Sequence, residues 1–250
     1  MKKHLIVILA LIFLLPSVAV SDMVSFRVGF FFPRAQSDLW DIEFENMDFT
    51  KTDYQNSNFG FSYEYFLSQE LSLVLSVDGY SKQKAGSYMD FVGEEIDGFE
   101  YAFDYGEGFG ISHVYSVSIT PIQASIKLTP LGRRMKVIPY LGGGVGLYIW
   151  SVRLQGDMID FSAAEEFYDP NIDAYVFGYE IYQTDAREEN KFKFGFHGFA
   201  GVMVPVANRI SVEAEFKYNA AKGTFSEAFE GFEPFDLGGY QFSVGLNYWF

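Results

Sequence analysis

The sequence predicts an all-β fold: a single antiparallel, up-and-down transmembrane β-barrel of eight strands, with ten as the alternative count. Three observations carry this. Apolar side chains recur with a period of two, which places them on one face of a strand. Rings make up 19% of the 250 residues, an excess that a membrane barrel explains through the aromatic girdles at its lipid–water borders. The connections between periodic stretches alternate short and long, as they do in barrels with tight periplasmic turns and long extracellular loops.

The first element reads as an address. Lys2 and Lys3 precede an apolar run from Leu5 to Leu15, Pro16 breaks it, and small residues follow at Ser17, Ala19 and Ser21. That is a secretory signal with cleavage before Asp22, which makes residues 1–21 a signal peptide and 22–250 the barrel domain. Beyond it no apolar run reaches the ~18 residues of a spanning helix. The longest candidate, Val137 to Trp150, is interrupted by four glycines and Pro139. Only helices and closed barrels satisfy every backbone group in lipid, so any later crossing is made by strands.

Eight such strands follow. Val24, Phe26, Val28, Phe30 and Phe32 mark the first; Phe59, Phe61, Tyr63 and Tyr65 the second; Leu71, Leu73, Leu75 and Val77 the third. Val117 and Ile119 open the fourth, which continues as Ile122, Ala124, Ile126 and Leu128. Its alternation slips by one at Thr120-Pro121, where a bulge is expected because proline cannot donate to a ladder. Val137 to Ser151 is the fifth. Phe192, Phe194, Phe196, Ala200, Val202 and Val204 mark the sixth, and Ile210, Val212, Ala214, Phe216 and Tyr218 the seventh. Tyr240, Phe242, Val244, Leu246, Tyr248 and Phe250 mark the last. Short connections surround Ser68 to Glu70, Thr129 to Lys136 and Pro205 to Arg209. The other four, Pro33 to Ser57, Ser81 to Ser112, Val152 to Lys191 and Asn219 to Gly238, are long. Within the third of these, Tyr175, Phe177, Tyr179 and Ile181 alternate, which reads as strands projecting above the membrane or, on the ten-strand count, as a further hairpin.

Periodicity does not say which face points outward. The polar face carries both signs of charge, at Arg27, Glu64, Asp78, Glu213, Glu215 and Lys217. In a narrow barrel these can pair across the interior, as buried charges must. The apolar face then meets lipid, and eight strands leave an interior that side chains just fill.

The chain ends on an unbroken alternation, Phe242, Val244, Leu246, Tyr248 and Phe250. This resembles the C-terminal signal read by the outer-membrane barrel assembly machinery. The mature chain resembles the small outer-membrane barrel superfamily that includes the outer membrane protein W and opacity-protein groups. Pro139-Tyr140-Leu141-Gly142-Gly143-Gly144-Val145-Gly146 is similar to their glycine-rich strand, and Phe26-Arg27-Val28-Gly29-Phe30-Phe31-Phe32-Pro33 to their first. The resemblance implies fold and an outer-membrane location. From the protein W group it also implies a passage or binding site for small apolar molecules, with no binding residues that map onto this chain.

Signals for chemistry are few. There is no cysteine, which excludes disulfides, thiolate metal sites and a lipidated N-terminal Cys. The net charge of −15 argues against nucleic acid. Gly142 to Gly146 lacks the Lys-Ser/Thr pair of a phosphate loop and reads as room for neighbouring side chains. An enzyme trimming lipid A needs Ser and His together on the lipid face. His113 and Ser116 are the nearest pair in sequence, but a spacing of three puts them on opposite faces of a strand, and His197 points inward. All but six of the 33 acidic residues (Asp22, Glu64, Glu70, Asp78, Glu213, Glu215) fall in the long connections. Among them Glu165, Glu166, Asp169 and Asp173 are candidate Ca²⁺ ligands, against a plain solvated acidic surface. Divalent ions there could bridge to lipopolysaccharide phosphates. The loops also carry many rings, Trp40, Phe44, Phe49, Phe103, Phe167 and Phe235 among them, which reads first as loops packing on each other. Arg133, Arg134 and Lys136 make the short-turn side locally basic.

The sequence therefore reads as a non-enzymatic integral outer-membrane barrel with a structural or surface-interaction role and no cofactor. Its expected surroundings are outer-membrane lipid and lipopolysaccharide, and the assembly machinery is an expected partner. A channel or binding protein for small apolar molecules is the alternative, and a lipid-A-modifying barrel enzyme comes third.

Overall fold

The computed structural model describes residues 22–250; the predicted signal peptide lies outside the described residues. The strands are β1 (Asp22–Pro33), β2 (Asn56–Phe66), β3 (Leu71–Ile96), β4 (Phe99–Phe103), β5 (Phe109–Leu128), β6 (Ile138–Asp169), β7 (Ala174–Ala207), β8 (Ile210–Ala220), β9 (Lys222–Gly223), β10 (Phe235–Asp236) and β11 (Gly239–Trp249). A helix, α1 (Asp38–Asn46), and a 3₁₀ turn (Lys51–Tyr54) lie between β1 and β2. No described helix is long and apolar enough to cross a membrane.

Eight strands close a ring of antiparallel pairs in the order β1, β2, β3, β5, β6, β7, β8, β11 and back to β1. The register follows from the apolar alternation. Phe26 lies opposite Leu246, Val28 opposite Val244 and Phe30 opposite Phe242, so matched apolar pairs stand side by side on the outer wall. A one-residue slip would turn each of them into the lumen. The belt they form is exposed all round the ring. Phe61 on β2, Leu75 on β3, Ile126 on β5, Val145 on β6, Phe194 on β7 and Phe242 on β11 are each about half exposed or more, as lipid-facing residues of a transmembrane barrel are.

The ring is eight-stranded, not ten, because Tyr175 to Ile181 belong to the upper part of β7, paired with β6 from Ile159 outward. The long connections after the third and fifth predicted strands are mostly strand themselves. The turn between β6 and β7 spans only residues 170–173. Above the belt β3, β5, β6 and β7 continue, and β4 joins them. The pairings β3–β4, β4–β7, β7–β6, β6–β5 and β5–β3 close a second ring of five strands over one side of the first.

The expected bulge at Thr120-Pro121 is absent. Thr120 and Pro121 pair in register with Ile149 and Tyr148. On the other side the ladder passes from Val77–Ile122 to Tyr80–Ile119 without a shift, leaving unpaired the step where proline has no N–H. The pleat is regular, and polarity is what changes. Below Pro121 the apolar residues Ile122 and Ile126 point to lipid; above it Tyr115, Val117 and Ile119 point inward and are buried. The strand leaves the membrane at this residue, and the inside of the molecule becomes its core.

That upper core is filled by the two connections that remain loops. Leu39, Trp40, Phe49 and Tyr54, between β1 and β2, and Phe225, Phe229, Phe235 and Leu237, between β8 and β11, are all buried. Trp40 stacks on Phe235 at 5.2 Å and meets Tyr54 and Tyr115 edge-on at 5.0 and 5.1 Å. Burying a ring of this size is worth roughly 4–6 kcal/mol gross. Asp236 fastens the two loops together. Its carboxylate accepts both Arg34 Nε and Nη2 at 2.8 and 2.9 Å, and its carbonyl accepts the Trp40 indole N–H at 3.3 Å.

Candidate functional site

The lumen of the lower ring is built in three layers. At the short-turn end Met23, Phe66, Ile138, Tyr140, Phe199 and Met203 form an apolar floor, with Trp249 packed against it. At the other end lies the aromatic core of the two loops. Between them sits a layer of charge. Strand alternation aims every second residue of β1, β2, β3, β5 and β8 inward, and these positions bring the six sequence-predicted interior residues together.

Arg27 Nε lies 2.7 Å from Glu213 and its Nη1 lies 3.6 Å from Glu215, while Nη2 donates to Ser62 Oγ at 2.8 Å. Lys217 Nζ lies 2.7 Å from Asp78 and donates to Gln123 at 3.2 Å. Glu64 accepts from Lys127 at 2.7 Å, from Ser72 at 2.5 Å and from Arg133 at 3.4 Å. Tyr140 donates its hydroxyl toward Glu213 and Glu215, and the Lys127 ammonium sits 4.0 Å from its ring centre. The layer thus pairs Arg27, Lys127, Arg133 and Lys217 with Glu64, Asp78, Glu213 and Glu215, and its formal charge is zero.

Lys127 and Arg133 were not among the predicted interior residues. Lys127 had a signal, since Gln123, Ser125 and Lys127 alternate against the lipid-facing Ile122, Ala124 and Ile126. Arg133 had none. It reaches in from a turn predicted as a basic outer surface, and its guanidinium lies 4.0 Å from the centre of the Phe66 ring.

Two cavities within the lumen are water-sized, about 10 Å³ each. One lies against Arg27, Ser125, Glu215 and Lys217, the other against Asn58, Asp78, Asn219 and Gln241 below the aromatic core. The second is lined by carboxylate and amide atoms that lack protein partners, among them Asp78 Oδ1 and Gln241 Nε2. A water each suits these sites; a diffusing solute does not.

His113 and Ser116 face opposite ways. His113 is buried in the upper core with Nε2 2.7 Å from the Glu43 carboxylate of α1. The Ser–His pair that does meet is Ser125 with His197, at 2.6 Å, and it lies inside the lumen where no lipid reaches it. His197 Nδ1 has no partner to orient it as a base. Gly142 to Gly146 runs mid-strand in β6, where Gly142 makes room for the Phe199 ring and Gly144 abuts the backbone of Ala124.

The candidate Ca²⁺ ligands are not brought together. Glu165 and Glu166, adjacent on a strand, point to opposite faces. Glu165 accepts from Tyr101, Asp169 from Tyr105 and the amide of Asn171, and Asp173 from Tyr168. Among the described residues no group of three or more acidic or histidine side chains is arranged to hold a metal ion. Phe242, Val244, Leu246, Tyr248 and Phe250 all stand on the outer face of the closing edge, between about two-fifths and just over half exposed. On that same wall an apolar dent of about 480 Å³ lies among Phe26, Val202, Val212, Val244 and Leu246. Behind it β1–β11 and β11–β8 pair without a shift, and β7–β8 pairs in register at Val202 and Val204, shifting only between Pro205 and Ala207.

No family model and no curated protein matches the chain. Solved structures do. The outer membrane protein OprG from Pseudomonas aeruginosa matches with a TM-score of 0.50 at 10% identity, over 92% of this chain and 96% of that one. The chain has the fold of a small outer-membrane barrel. Neisserial surface protein A matches over 92% and 97% of the two chains at 13% identity and a TM-score of 0.49. Ail, the attachment invasion locus protein of Yersinia pestis, matches over 92% and 99% at 12% identity and a TM-score of 0.44.

Proposed function

We propose that this chain is a non-enzymatic outer-membrane barrel whose lumen is closed and whose work is done at the cell surface, by the rigid acidic extension that the barrel anchors. One observation carries the reading. The lumen is filled at three successive levels, by floor, ion-paired layer and aromatic plug, while four strands are built on past the membrane. A conduit would need the reverse. On this reading residues 1–21 direct export and are removed, and the outward face from Phe242 to Phe250 is what the assembly machinery reads. Outer-membrane lipid and lipopolysaccharide surround the belt and its upper rim. The filled lumen weighs against a passage for small apolar molecules. The buried position of Ser125 and His197 weighs against a lipid-modifying enzyme.

The test is ion conductance of the folded, purified protein in a planar bilayer. Silence or rare small flickers are expected. Large, steady channels overturn the closed lumen. N-terminal sequencing of protein extracted from outer membranes checks export, with Asp22 expected as the first residue.

A further inference from the structure

At the far end of the extension the β3–β4 hairpin and the β6–β7 turn stand apart and leave a cleft of about 590 Å³. Its floor is aromatic. Phe103 is buried and meets Phe167 edge-on at 5.6 Å, and Tyr101 also meets Phe167 edge-on, at 4.8 Å. Gly178 is what lets these rings close up, since a Cβ there would lie 2.8 Å from both Phe103 and Phe167. The rim mixes apolar and anionic groups. Ile96, Ile172 and Val176 line it together with Glu94, Glu107 and Asp169. The surroundings carry one sign of charge. Segments 88–108 and 157–182, which form this tip, hold seven carboxylates each and no Lys or Arg.

We propose that this cleft binds a cationic amphipathic peptide segment, with an apolar side chain on the Phe103–Phe167 floor and Lys or Arg side chains against Glu94, Glu107 and Asp169. The inference rests on the surface role proposed above and names its ligand class. Apolar area supplies attachment, and the unopposed negative field supplies steering and sign selection. A metal ion alone would leave the aromatic floor unused, and an acidic or sulfated ligand would meet repulsion on every side.

The experiment uses the full barrel in lipid nanodiscs and a fluorescently labelled peptide of alternating lysine and leucine, read by anisotropy. Binding to the unaltered protein is expected, with little binding of the glutamine-for-lysine version. Glu94→Gln with Glu107→Gln is expected to weaken it about fivefold, from the usual worth of exposed ion pairs. Glu230→Gln with Glu233→Gln, equal in charge but away from the cleft, is expected to leave it nearly unchanged. Ile172→Ser is expected to weaken the lysine–leucine peptide and not an all-lysine peptide. No binding to the unaltered protein overturns the proposal, as do equal losses from both carboxylate pairs, which mean diffuse attraction. Silent bilayers with no peptide binding remove this proposal and leave the closed barrel standing. Steady pores remove the closed barrel whatever the peptide does.

Discussion

The belt and the extension are made by the same strands with opposite rules. Along β3, Leu73, Leu75 and Val77 face lipid while Ser72, Ser76 and Asp78 face in; a few residues on, Tyr80 and Tyr88 face in and Ser81 and Gln83 face water. From Leu73 to Tyr88 the pleat does not change, and only the medium outside does. In lipid the apolar face is free to point outward and the polar groups must find each other inside. In water the ordinary preference returns, and the interior becomes rings. What this teaches is that the two halves are stabilised by different chemistry, ion pairing below and aromatic packing above, and they fail differently when substituted.

The largest effect is expected in the charged layer. Arg27→Met leaves Glu213 buried without its cation and Glu215 with only Lys217 at 3.9 Å, and is expected to cost about 3–5 kcal/mol, read as a lower urea midpoint for unfolding from vesicles. Adding Glu213→Gln should recover part of the loss; no recovery would mean that Arg27 acts through packing alone. A second test puts one substitution on one face of one strand on either side of the polarity change. Leu75→Arg, in the belt, is expected to cost about 2–4 kcal/mol, and Gln83→Arg, above it, less than about 0.5 kcal/mol. Equal costs would erase the boundary.

The smallest effect is a pH dependence confined to the extension. Burial acts to raise the Glu188 carboxyl, but the amide of Ser226, then the Lys191 ammonium and the amide of Glu227, outweigh it and hold it below the usual glutamate range. A lowered folded value means the contribution is fully present above the unfolded value, about 4.3. It is lost as pH falls through the folded one. Proteolysis between β8 and β11 is therefore expected to speed up below about pH 4 while the belt stays folded. Glu188→Gln should make that region equally sensitive at neutral pH.

The eight crossings were legible because a strand with one face in lipid has to alternate, and seven of the eight luminal charges, all but Arg133, sit on those alternating positions. The extension was half legible. Tyr175 to Ile181 alternated and read as projecting strands, but β4 carries three buried residues in succession, Tyr101, Ala102 and Phe103, and no period of two can mark it. Pro121 was misread for a physical reason. A change of polarity and a change of register produce the same shift in an apolar pattern, and only the partner strand tells them apart. The cleft at the tip was out of reach because Phe103 and Phe167 are 64 positions apart and meet only through the second ring.

The one-sided height of the wall sets a distance. A strand rises about 3.3 Å per residue, and ~10 tilted residues cross a bilayer. The 32 residues of β6 thus leave roughly 40–60 Å of stiff ribbon beyond the lipid. In the proposed orientation the β6–β7 turn works as a mast: it carries its aromatic cleft through the layer of surface sugars and presents it where large molecules, held off from the membrane itself, can still arrive.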